Sequence, residues 1–445
     1  MIKQIFALAG LVCGVAAHAD SPVAYVHARI YPVSGAPITD GTLIVSGGKI
    51  TAVGKSPIIP PGARRVDLHG ATVIPGLVDA SSSLFITEET FGGAASPDQN
   101  VLDGIDPFDK NAAKVLQRGI TTVYVSPGGR GGLGGVVKLQ LPTAETTKGV
   151  APIFETALKQ KAGLQMTLGV SSAGRSSSLD RLASYQALRA QFASAKNYLK
   201  QQEKAEAEKK AAQPAPAGGP PRPAAREPEP DAATEDMAQR RQFPRGGQGP
   251  RPQQSAAPRT QPIQETLAAA LKGEIPVRIE AHRSDDILNA LRLQDEFHFK
   301  LILESPEEAD LVLSQIKSRG VSIIWSPMRA EGAPTLESNL YSPTGAAGIA
   351  KAGLKLAVSA RSSSGVASRF LLQTACMAIS AGLSEDAALK AVTLDAAEML
   401  GVGEKVGSLK PGKDADFVVL TGSPFRSQTH VSQVFVGGVQ VYGAL

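Results

Sequence analysis

Cysteine is almost missing from this chain: its 445 residues hold two. One of them, Cys13, lies in an N-terminal apolar stretch, which leaves Cys376 alone once that stretch is removed. An internal disulfide is thereby excluded, and stability has to come from packing even in an oxidising compartment. Long apolar runs are equally scarce. The run from Ile5 to Ala17 is about 13 residues, and a spanning helix needs roughly 20, so no membrane span is expected after processing. Charge of one sign is lacking too. Lys and Arg number 46 against 41 Asp and Glu, for a formal +5, and the two signs are interleaved, so there is no nucleic-acid footprint. Partners are therefore small molecules or proteins. No internal repeat is visible, and histidine is sparse, at six residues.

What is present allows one large domain and a smaller one, with an ordinary 42% hydrophobic content for a packed core. Residues 1–19 read as a secretory signal: Lys3 supplies the charged start, the apolar run follows, and Ala17-His18-Ala19 is a small-x-small cleavage site. The mature chain is expected to begin near Asp20, in the periplasm or outside the cell. A lipid anchor on Cys13 is disfavoured by bulky Val12 just before it.

Short apolar segments alternate with turn residues from Val23 to Val73 and again after residue 405. They predict one small β-sandwich built from residues 20–72 and 405–445. Between them, strand-like runs such as "ITTVYVSP", "IPVRIEA", "FKLILE" and "LKLAVSA" alternate with amphipathic helices. In one of these, Ser284 is the expected N-cap, Asp285 and Asp286 follow in the first turn, and Ile287, Leu288, Leu291 and Phe297 form the apolar face. Repeated strand-helix units predict an α/β domain over 73–404 with a parallel sheet closed into a barrel. Residues 203–262, rich in Pro, Ala, Gln, Arg and Gly, interrupt it as a low-complexity insertion expected to be disordered. Their Arg240, Arg241, Arg245, Arg251 and Arg259 read as a solvated stretch. The glycine-rich "PGGRGGLGG" from Pro127 to Gly135 reads as a barrel-mouth loop and has neither the spacing nor the lysine of a nucleotide-binding loop.

In "GATVIPGLVDASSSL", Gly70, Pro75, Gly76, Leu77, Asp79 and Ala80 match the pattern G-x-x-x-x-P-G-L-x-D-A-H-x-H. Thr393, Ala397, Gly401, Gly407, Leu409, Gly412, Lys413, Ala415 and Asp416 fall in register in the C-terminal piece. The chain thus resembles the amidohydrolase superfamily, in particular its exported imidazolonepropionase-like branch. The resemblance implies a (β/α)8 TIM-like barrel with a small sandwich, hydrolysis of carbon-nitrogen bonds, and zinc or another divalent metal at the barrel mouth, which lowers the pKa of bound water to about 7.

The positions where that family places its metal ligands carry other residues here. Ser81 and Ser83 replace the H-x-H pair, Ala173 stands where a bridging lysine is expected, Glu280 replaces a histidine with His282 following, Ser305 replaces another, and Arg361 replaces an aspartate. Hydroxyls are poor ligands beside imidazole, and an arginine repels a cation. His18 falls in the signal, His27, His69 and His430 in the small lobe, and His298 beyond a helix. Only His282 reaches the mouth, so no bound metal cofactor is expected. Arg361 is expected to fill the vacated volume and pair with Glu280.

Three readings follow. The chain is a catalytically degenerate member working as a homo-oligomer or beside an active relative. Alternatively it is a weak hydrolase using Glu280 and His282, or one metal on Asp79, Glu280 and His282. In the third reading it is a periplasmic small-molecule binding protein.

Overall fold

The computed structural model describes residues 21–86, 96–127, 131–139, 157–169, 177–212, 262–326, 342–360 and 367–443. The signal segment and the barrel positions Ala173 and Arg361 lie outside them, as does most of the insertion. The N-terminal alternation forms β1 (Val23–Ile30), β2 (Ile38–Ser46), β3 (Lys49–Gly54), β4 (Arg64–Asp67) and β5 (Thr72–Pro75). Gly47 and Gly48 join β2 to β3 with φ of 56° and 72°, the left-handed pair that a tight hairpin turn demands.

The barrel strands are β6 (Leu77–Ser82), β7 (Ile120–Val125), β8 (Gly132–Lys138), β9 (Lys159–Thr167), β10 (Val277–Glu280), β11 (Leu301–Glu304), β12 (Ser322–Trp325) and β13 (Leu356–Val358). They form one sheet in sequence order. All neighbours are parallel except β8, which runs antiparallel to β7 and β9. The fold is thus a TIM-like barrel with one reversed strand. The reason is the short link between β7 and β8, since a parallel crossover needs a dozen residues or more. Gly132 to Gly135 therefore lie in a strand, not in the expected mouth loop. A Cβ on Gly134 would run into the Tyr124 ring, and one on Gly135 would come within 2.8 Å of Leu102 Cγ. Across the two ends of the sheet, Ser359 Oγ, just after β13, lies 2.6 Å from Asp79 Oδ1 and 2.7 Å from Ser81 O on β6, with one hydroxyl proton between the two.

Helices α1 (Asn111–Leu116), α2 (Ser178–Ala212), α3 (Pro262–Leu271), α4 (Ser284–Phe297), α5 (Leu313–Ser318), α6 (Gly345–Lys351), α7 (Leu371–Ser380), α8 (Glu385–Ala391) and α9 (Leu394–Met399) accompany the barrel. Strand alternation sorts the side chains. Val277, Ile279 and Leu303 pack with Leu291 of α4 in the outer core. Ala80, Tyr124, Ile302, Ile324 and Ala357 fill the bore, closed below by Ala396 and Ala397 of α9. Ile287, Leu291 and Phe297 are buried as expected, but Ser284 is the first residue of α4 and its hydroxyl donates to Glu308 at 2.8 Å instead of capping its own helix. Residues 203–212 continue α2, where the sequence suggested that the insertion had begun. Lys, Glu and Ala are strong helix formers, and Leu188 and Phe192 anchor the first half of α2 in the core. Among the described residues no helix is long and apolar enough to cross a membrane.

The chain then returns to the first sheet as β14 (Phe417–Leu420), β15 (Val431–Val436) and β16 (Val439–Tyr442). The small lobe is one hydrogen-bonded sheet in the order β16-β15-β14-β5-β1-β2-β3, with β4 on the first half of β1. Phe417 and Phe435 stack at 4.2 Å in its core, with Tyr25 edge-on to both. Lys138, at the end of β8, joins the lobes through Asp414 at 2.6 Å and Asp416 at 2.9 Å, and Lys49 reaches Asp414 at 2.5 Å. Lys138 is only 11% exposed, so Lys138→Met strands Asp416 and leaves Asp414 with Lys49 as its cation. Its expected cost is about 3 to 5 kcal/mol. Urea unfolding measures it, and an unchanged midpoint would show the junction to be idle.

Candidate functional site

The C-terminal ends of the parallel strands make the mouth, where this architecture presents its functional groups. In "VRIEAH" every second residue points inward, which aims Arg278 and Glu280 into the barrel while Val277 and Ile279 face the helices. His282 follows in the loop after β10.

Beneath the mouth, Arg278 donates from Nε to Glu304 on β11 and from Nη2 to Ala80 O on β6 at 2.6 Å. Ser81 Oγ donates to the other Glu304 oxygen at 3.1 Å. The guanidinium lies over the Tyr124 ring, 3.5 Å from its centroid, a favourable stacking of cation on aromatic face. Gly163 leaves it room, since a Cβ there would come within 2.5 Å of Arg278 Cδ. Arg278, Glu304 and Ser81 are fully buried. One ion pair thus spans β6, β10 and β11.

At the rim, His282 Nε2 lies 3.2 Å from Glu280 Oε1, and its Nδ1 lies 3.5 Å from Glu307 Oε1. Burial works against a charge on the ring. The hydrogen bonds and charges of Glu280 and Glu307 prevail, and the pKa rises from 6.5 to about 9. The protonated ring is thereby favoured at neutral pH, which works against His282 as a general base. Ser305 is buried in the left-handed region, at φ 50°, just after β11.

Asp79 is buried beside Ser359. Burial pushes its pKa up, against the Ser359 and Ser368 hydroxyls, the Ser81 N–H and the Arg278 charge. Ser83 is half-buried at the end of β6. The structure therefore brings Ser81, Glu280, His282 and Ser305 to one rim. The pairing of Arg361 with Glu280 falls outside the described residues.

Sequence reasoning missed Arg278, Glu304, Glu307 and Ser359. The period of two in "VRIEAH" was the available signal for Arg278, and it went unread because attention lay on the histidine pattern.

These residues do not fit the divalent metal that the resemblance implies. Ser81 is committed to Glu304, Asp79 to Ser359, and Glu280 to His282. Among the described residues no three His, Cys, Asp or Glu side chains converge to hold an ion, including the arrangement of Asp79, Glu280 and His282.

Residues 272–441 match the model of the Amidohydrolase family. An amidohydrolase from Thermotoga maritima MSB8 is 27% identical, superposes with a TM-score of 0.74, and aligns over 95% of this chain and 100% of its own. The chain is thus similar to the amidohydrolase superfamily, in sequence over residues 272–441 and in fold over almost its whole length. An adenosine deaminase from Xanthomonas campestris with bound zinc (16% identity, TM-score 0.51, 95% of this chain and 93% of that one) shares the fold. So does a prolidase complexed with N-methylphosphonate-L-proline (14%, 0.55, 95% and 100%). No curated protein matches the sequence. The amidohydrolase frame is the one that Gly70 to Ala80 and Gly407 to Asp416 signalled.

Proposed function

We propose that this amidohydrolase-like chain is catalytically degenerate and serves, in the periplasm or outside the cell, as a non-catalytic subunit beside an active relative. The observation that carries the reading is the seat of His282 between Glu280 at 3.2 Å and Glu307 at 3.5 Å, two carboxylates that favour its protonated ring. Hydrolysis of a carbon-nitrogen bond needs a nucleophile generated from water. Unassisted water has a pKa of about 15.7, and among the described residues the rim carboxylates Glu280 and Glu307 are the bases on offer, both held against His282. General-base help is worth about 10²- to 10⁴-fold, against the 10⁶-fold or more typical of enzymes. Both lobes and their ionic junction are nevertheless intact, as a docking scaffold requires. The apolar N-terminal segment with its Ala17-His18-Ala19 site supports export.

The test assays dipeptides and cyclic amides with the chain alone, with zinc, and with a co-expressed active relative. We expect no turnover by the chain alone and co-purification with the relative. Zinc-dependent turnover by the isolated chain, abolished in Glu280→Gln, would replace this reading with the enzyme. Failure to co-purify with any relative would remove the partner role.

A further inference from the structure

We infer that Gln165 and Arg278 form a binding site inside the barrel for a small neutral ligand that offers a hydrogen-bond acceptor and a donor side by side, as a primary carboxamide does. The site needs no chemistry, so it goes beyond the reading of the chain as a degenerate subunit and does not depend on it.

Three observations carry it. The first is polar capacity left over in a fully buried place. Gln165 on β9 and Arg278 on β10 are both 0% exposed. Neither polar atom of the Gln165 amide, nor Arg278 Nη1, has a hydrogen-bond partner among the described residues. Arg278 spends Nε on Glu304 and Nη2 on Ala80 O, which leaves Nη1 over. Buried polar side-chain atoms nearly always have a partner, so a cluster without one points to a bound molecule. The second is register. Gln165 lies directly opposite Arg278 in the pairing of β9 with β10. Leu164 and Met166 on either side of it belong to the outer core, so the pleat turns Gln165 inward, to the level of Arg278. Thr167, the next inward residue of β9, adds a buried Oγ1 that is likewise unpartnered. The third is room. Gly132 of β8 is the register partner of Gln165 on its other side and brings no side chain to that level. One level below, the bore is full: a Cβ on Gly163 would come within 2.5 Å of Arg278 Cδ, and one on Gly134 would run into the Tyr124 hydroxyl.

Charge and hydrogen-bond chemistry select the ligand. Glu304 already neutralises Arg278, so a carboxylate here would be a buried charge without a cation of its own, which is costly. A carboxylate also only accepts, and would leave Gln165 Oε1 unanswered. A carboxamide answers the whole set. Its oxygen accepts from Arg278 Nη1 and Gln165 Nε2, and its N–H donates to Gln165 Oε1. The match survives reversal of the Gln165 amide, because each partner carries both an acceptor and a donor.

The experiment titrates the full native chain, Gln165→Leu and Gln165→Met with acetamide and, in parallel, with acetate, followed by saturation-transfer NMR. Thermal melts of all three proteins run alongside. Acetamide is expected to bind the native chain saturably, and acetate about tenfold more weakly or worse. Leucine and methionine both remove the amide at similar volume, so each is expected to weaken acetamide by about tenfold or more. A purely structural role for Gln165 would move the melting temperature and leave the acetamide titration unchanged. Equal acetamide affinity in the native chain and a folded variant would therefore overturn the inference. So would acetate binding as tightly as acetamide, or no saturable acetamide binding at all, which would leave water as the occupant.

Discussion

Arg278→Met is expected to lower the free energy of unfolding by about 3 to 5 kcal/mol, the range for breaking a buried ion pair by removing one partner. Methionine approximates the volume of the arginine stem, so little of this loss would come from a cavity. The cost arises because Glu304, fully buried on β11, would keep its charge with only the Ser81 hydroxyl as a named donor. Ala80 O would lose its 2.6 Å donor at the same time. The companion variant sharpens the argument. Replacing both partners, as Arg278→Met with Glu304→Leu, is expected to recover most of the loss, because an apolar pair of similar size in a bore already lined by Ile302 and Ile324 leaves no charge stranded. Urea midpoints of the two singles and the double form a cycle whose coupling term isolates the pair. If the double variant is no more stable than the worse single, the pair is not what holds β6, β10 and β11 together here.

How far this site was legible in the sequence depends on which residues are considered. Gly70 through Ala80 and the run from Gly407 to Asp416 are local motifs whose backbone demands are met within a few residues, and they fixed the family frame directly. Strand periodicity gave the barrel, because apolar residues recur at a spacing set by the pleat. The reversal of β8 was not visible, since Gly132 to Gly135 read as a turn, and only the approach of Tyr124 and Leu102 from other elements explains why glycines stand in that strand. The helical continuation of α2 past residue 203 was hidden for the opposite reason: its helix-forming Lys, Glu and Ala were present, but its anchor lay upstream in Leu188 and Phe192. Ser81, Glu280 and Ser305 could be singled out because each belongs to a short motif. Their partners Glu304, Glu307 and Ser359 were not, because those contacts join strands whose spacing along the chain carries no signal.

The second large effect expected is an alkaline loss of stability traceable to His282. Its pKa stands at about 9 in the folded chain against 6.5 for a free imidazole, so folding tightens its hold on a proton. A group shifted in this direction stabilises the fold fully below about pH 6.5, and its contribution is lost as the pH rises through about 9. At about 1.36 kcal/mol per pH unit of difference, the contribution is roughly 3 kcal/mol, present at pH 6 and absent by about pH 10. The cause is local: above pH 9 the neutral ring no longer screens Glu280 from Glu307, and one ring nitrogen turns from donor to acceptor against a carboxylate. His282→Gln cannot titrate, so it should lack this component while sharing every other alkaline loss with the native chain. The measurement is urea unfolding of both proteins at pH 6, 8 and 10. The stability gap between them is expected to close by roughly 3 kcal/mol across that range. Parallel profiles, with a gap as wide at pH 10 as at pH 6, would mean that His282 is not held as an imidazolium between Glu280 and Glu307.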